Sequence, residues 1–132
     1  MIPRRTFITQ AALVSATGLF AQEQKHSHAA SNGGQIIEIG KIEAELVARI
    51  GEVSLNLTDD HDKNFKATGY SATATVLAKG NQQKTIELVL ASDNRLAAKY
   101  DFAIDGRFRA TVVLKHEGKE VDKGRYNLDI KK

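Results

Sequence analysis

Ile42-Glu43-Ala44-Glu45-Leu46-Val47-Ala48-Arg49-Ile50-Gly51-Glu52-Val53-Ser54-Leu55-Asn56-Leu57-Thr58 is the stretch whose reading decides the fold. Ala44, Leu46, Ala48 and Ile50 alternate with Glu43, Glu45, Val47 and Arg49. Side chains two apart lie on one face of a strand, so this pattern predicts a strand with one buried face. Gly51-Glu52 permits a tight turn. Val53, Leu55 and Leu57 then alternate with Ser54, Asn56 and Thr58. Residues 42–58 therefore read as a β-hairpin.

The same rhythm continues toward the C-terminus. Ala72, Ala74, Val76 and Ala78 share one parity, and Gly80-Asn81 signals a turn. Ile86, Leu88 and Leu90 form the next alternating run, and Ser92-Asp93-Asn94 turns the chain. Leu96, Ala98, Tyr100 and Phe102 follow. Asp105-Gly106 is the strongest two-residue hairpin signal in the chain. Phe108, Ala110, Val112 and Leu114 come next, then a Glu117-Gly118-Lys119 turn, and Tyr126, Leu128 and Ile130 close the domain. Seven or eight short strands at roughly 8–12 residue spacing predict an all-β fold, an antiparallel β-sandwich of immunoglobulin-like type. A small open β-barrel is the alternative. The many alanines at inward positions predict close packing of the two sheets.

The chain toward the N-terminus has another character. Residues 22–34 lack apolar periodicity and end in Gly33-Gly34, which reads as a flexible linker carrying two histidines. Before it, Arg4-Arg5-Thr6-Phe7-Ile8 leads into an uncharged stretch from Thr9 to Ala21. This looks like a twin-arginine (Tat) export signal. A Sec signal or an amphipathic first helix are the competing readings. The stretch is too short and too polar to span a bilayer, which takes about 20 mostly apolar residues. The expected organisation is a signal at 1–21, a linker at 22–34 and a β-sandwich at 35–132, with the mature protein periplasmic. Cleavage after Ala21 keeps His26 and His28; cleavage after Ala29 removes them.

Composition excludes several classes. With 132 residues the chain holds one domain, and with no Cys it has no disulfide, thiolate metal site or Cys nucleophile. The net charge is +3, of which Arg4 and Arg5 supply two. A mature domain with so little basic surplus is a poor nucleic-acid binder, because such binding draws on phosphate neutralisation. No G-x-S-x-G elbow, H-E-x-x-H, P-loop or dinucleotide turn is present, so an enzyme is not expected.

The segment Gly33-Gly34-Gln35-Ile36-Ile37-Glu38-Ile39-Gly40-Lys41-Ile42-Glu43-Ala44-Glu45-Leu46-Val47 resembles the opening of a small periplasmic β-domain found with heavy-metal efflux adaptor proteins of RND-type pumps. The order His26-Ser27-His28, Gly33-Gly34, Glu45-Leu46-Val47 and Asp59-Asp60-His61-Asp62 is similar, over about residues 26–130. The resemblance implies a free-standing form of that domain with an RND-type efflux component as partner. An adaptor's helical hairpin and lipoyl-like domain have no room here.

Two constellations carry metal chemistry. His26-x-His28 offers two imidazoles, suited to Cu or Zn. Asp59-Asp60-His61-Asp62 offers three carboxylates and an imidazole, although it lacks the Gly and Glu of an EF-hand loop and Asp is also a turn-former. His116 falls at a strand end. Glu43 and Glu45, with Lys41 and Arg49, read as an ordinary charged outer face. Two functions follow: an exported periplasmic accessory that binds transition metal or docks to a metal efflux system, or a protein-interaction β-sandwich module with no metal role.

Overall fold

The computed structural model describes residues 32–132. Eight antiparallel strands form it: β1 (Gln35–Ile39), β2 (Ile42–Arg49), β3 (Glu52–Thr58), β4 (Tyr70–Ala78), β5 (Gln82–Ser92), β6 (Arg95–Lys99), β7 (Phe108–His116) and β8 (Lys119–Leu128). Their order across the sheet is β1-β2-β3-β6-β5-β4-β7-β8. The fold is all-β, as the period-two pattern predicts. Residues 42–58 form the expected hairpin, with Leu46 opposite Leu55.

β5 makes one structure of two halves. Its first part, Gln82 to Leu88, pairs with β4. Its last part, Val89 to Ser92, pairs with β6 across a bulge. β2-β3-β6-β5 and β4-β7-β8 thus have the neighbour relations of the two immunoglobulin sheets. The outermost strands approach each other and nearly close the sheet. Asn127 N donates to the Gln35 side-chain oxygen Oε1 at 2.8 Å, and the Tyr126 hydroxyl of β8 reaches past β1 to donate to Ala44 O of β2 at 2.8 Å.

Leu46, Leu55, Leu57, Leu88, Leu96, Leu114 and Phe108 fill the interior. Ala44, Ala48, Ala72 and Ala74 are fully buried between them. These small side chains let the two halves approach closely. Each buried leucine contributes about 1.5–3 kcal/mol, so the core stabilises the domain without disulfides.

Two local expectations are corrected. Asp105-Gly106 does not join a hairpin: β6 pairs with β3 and β5, whereas β7 pairs with β4 and β8. Gly106 still turns the chain, with φ at +73°. The turn lies in a crossing between sheets, and Tyr100, Phe102 and Ile104 on that crossing pack against the core. Non-local pairing outweighs a good local turn here. Ile50 does not face inward; it is 72% exposed, because the β2–β3 turn lifts it off the strand parity. The Glu117-Gly118 turn does join β7 to β8, and both residues have positive φ, as a two-residue type I′ turn requires.

Candidate functional site

Of the residues singled out for metal chemistry, His26 and His28 lie outside the described residues. Asp59, Asp60, His61 and Asp62 form a turn after β3. Asp59 Oδ1 accepts from His61 N at 2.9 Å, and Asp62 Oδ1 accepts from Asn64 N at 3.0 Å. Both carboxylates cap their own backbone, the ordinary use of Asp in turns. Among the described residues, no three His, Asp or Glu side chains are grouped to hold a metal ion. His116 stacks on Tyr70, with ring centroids 4.3 Å apart. Burial, with the Asp59 charge second, raises the Tyr70 pKa.

The outer face of β2 is not the ordinary charged surface its sequence predicts. Glu45 is only 5% exposed. Its Oε2 accepts from Asn32 N and from Gly34 N, each at 2.9 Å, and its Oε1 accepts from Asn32 Nδ2 at 2.9 Å. A buried carboxylate needs such donors, since burying it without partners costs several kcal/mol. The Asn32–Gly34 turn supplies them and covers Val47 as well. A Cβ at Gly34 would collide with the Leu46 carbonyl oxygen, so only glycine lets the turn lie this close. Lys131 Nζ holds the turn from the C-terminal side, donating to Asn32 O at 3.2 Å. Sequence reasoning missed this burial. The signal for it was the Gly33-Gly34 pair, which permits close approach as well as flexibility.

The clamped turn forms one wall of a groove. Asn32, Val47, Arg49, Glu52, Ser54, Asn56 and Arg95 enclose about 130 Å³ on the outer face of β2, β3 and β6. Pairing register explains the assembly. Asn56 stands opposite both Glu45 and Arg95, and Glu52 stands opposite both Arg49 and Lys99. Glu52 therefore brings one negative charge into the groove, whose lining stays positive by one with Arg49 and Arg95. The Arg49 and Arg95 side chains have no hydrogen bond or ion pair among the described residues. Ser54 continues the row to Ala97 and then to Val89, which is 59% exposed. A polar groove with two uncommitted arginines therefore adjoins an apolar strip.

Beside the groove, Asn56 and Arg95 also line a depression of about 460 Å³ with Ser92, Asp93 and Asn94, and two further depressions lie apart from it. One, of about 400 Å³, lies at the end of the sandwich between Ile50, Tyr100, Phe102, Ile104 and Ile130. The Tyr100 hydroxyl donates to Arg49 O at 2.6 Å, and burial raises its pKa. The other, of about 300 Å³, lies on the outer face of β4, β7 and β8. Among the described residues, no helix is long and apolar enough to cross a membrane. Comparison with family models, curated proteins and solved structures found no match.

Proposed function

We propose that the protein is an exported, periplasmic interaction module. Its partner is a protein that places an acidic side chain in the Arg49–Arg95 groove and rests on the Val89 strip. The groove carries this reading. At about 130 Å³ it falls below the roughly 300–1,000 Å³ of typical small-molecule sites, yet it has room for one side chain. Arginine forks match carboxylates in plane and in hydrogen-bond direction. An exposed valine beside an arginine pair is the mixed apolar and polar composition of a protein interface. The resemblance to the efflux-adaptor domain nominates a periplasmic subunit of an RND-type metal pump as the first partner to try.

The test uses soluble peptides that each carry one Glu or Asp among apolar residues, with matched Gln or Asn versions. Fluorescence anisotropy should show the acidic peptides binding at least tenfold tighter than their amides. Arg49→Gln with Arg95→Gln should erase that difference. Equal affinity for acid and amide, or a preference that survives the double substitution, would overturn the proposal.

A further inference from the structure

The outer face of β4, β7 and β8 holds a second pair of uncommitted arginines. Register sets Thr75 opposite Thr111, Thr111 opposite Arg125, and Arg109 opposite Asn127. Arg109 and Arg125 are therefore diagonal neighbours on adjacent strands. Such positions stand about 7–8 Å apart, within reach of long side chains. Both line the depression of about 300 Å³, together with Thr75, Thr111, Leu77 and Gln83. Two guanidinium groups so placed repel each other unless an anion lies between them.

The carboxylates of this face do not fill that role. Glu87 accepts from the Thr73 hydroxyl at 2.7 Å. Asp129 accepts from Arg107 Nη1 at 2.7 Å, and the rest of the Arg107 fork binds Asn127 Oδ1 and Asn127 O. Glu120 stands opposite Lys115 at the far end. Arg107 is thus held by three acceptors, whereas Arg109 and Arg125 make no hydrogen bond or ion pair among the described residues. Lys123, opposite Val113, adds a further positive charge to the same face.

We propose that this depression binds a phosphate group. A carboxylate has two oxygens and is satisfied by one arginine fork. Two forks carried on adjacent strands, with two threonine hydroxyls in the same lining, suit a tetrahedral oxyanion with three free oxygens. The depression is at the lower end of ligand-site size, so it has room for a glycerol-sized group beside the phosphate, along Leu77 and Gln83. The phosphate can belong to a soluble monoester or to a lipid headgroup. This site lies on the opposite sheet from the Arg49–Arg95 groove and does not depend on it.

The experiment follows backbone amide shifts by NMR at constant ionic strength. One arm adds inorganic phosphate, then glycerol 3-phosphate. The other adds phosphatidic acid vesicles, whose headgroup is a phosphate monoester, with phosphatidylcholine vesicles as reference. In the first arm, shifts should cluster at Thr75, Thr111 and Arg125. Arg109→Gln and Arg125→Gln should each weaken binding at least tenfold, and Lys63→Gln should leave it unchanged. Arg125→Lys should also weaken it several-fold, because lysine keeps the charge and loses the fork. A response to both arms, or to soluble phosphate alone, assigns a soluble ligand. A response to anionic vesicles alone, lost in Arg109→Gln, assigns a headgroup. No response in either arm, a response unchanged in both Arg→Gln variants, or full affinity in Arg125→Lys would overturn the site.

Discussion

The tripeptide Glu-Leu-Val occurs twice, as Glu45-Leu46-Val47 in β2 and as Glu87-Leu88-Val89 in β5. Both leucines point inward and are fully buried. Both flanking pairs point outward. In β2 the outward Glu and Val are buried, at 5% and 3% exposure, whereas Val89 is 59% exposed and Glu87 is open to solvent. The same three residues in the same backbone conformation thus have different environments. Alternation decides which face a side chain joins. Burial on the outer face depends on cover from elsewhere, and only β2 has the Asn32–Gly34 turn above it.

The largest expected effect is shared by the two copies. Leu46→Ala and Leu88→Ala should each cost about 3 kcal/mol, because each opens a cavity in the same core. Urea denaturation would break the comparison here if one cost less than half the other. The glutamates should then separate the copies. Glu45→Ala should cost about 2 kcal/mol, since it leaves donors of a charged hydrogen-bond set without their acceptor. Glu87→Ala should cost under about 0.5 kcal/mol, as an exposed surface change does. The same denaturation series measures both, and equal losses would mean that the turn gives Glu45 no special weight.

The valines sharpen the contrast further. Val47→Ala should cost about 1.5 kcal/mol at about 0.8 kcal/mol per buried methylene-sized group. Val89→Ala should be near neutral in thermal unfolding. A further test concerns the seam beside the first copy. Tyr126 donates to Ala44 O, so Tyr126→Phe should cost about 1 kcal/mol. Burial also pushes the Tyr126 pKa well above its usual value of about 10. The folded state therefore keeps a proton that the unfolded state releases. This contribution is complete below about pH 10 and is lost as pH rises above it. Stability of the phenylalanine variant should fall less steeply across that range. Tyr70 and Tyr100, also raised, would leave part of the slope in place.

Strand positions were legible because period two survives in nearly every segment. Pairing was less legible. Asp105-Gly106 advertises a hairpin, yet nothing in residues 95–115 tells that β6 belongs beside β3. The groove was not legible at all. Arg49 and Arg95 are far apart in the chain, and the register through Asn56 and Glu52 brings them together. Glu45 looked like surface because its partners, Asn32 and Gly34, sit in a segment whose composition reads as linker. The metal reading rests on residue type and on the efflux-domain resemblance, and the Asp59 and Asp62 carboxylates are engaged by their own turn.

β5 also bears on how the chain reaches its native state. Leu55 pairs with Leu96, about forty residues later, and β5 must join β4 on one side and β6 on the other. Such distant pairings exact their loop-closure entropy before they yield contacts, which places β-sandwiches in the millisecond-to-second range of folding times. Neither half can complete its sheet without this shared strand. Folding should therefore be a single slow kinetic phase, with the amides around Leu88 among the last to exchange their hydrogens.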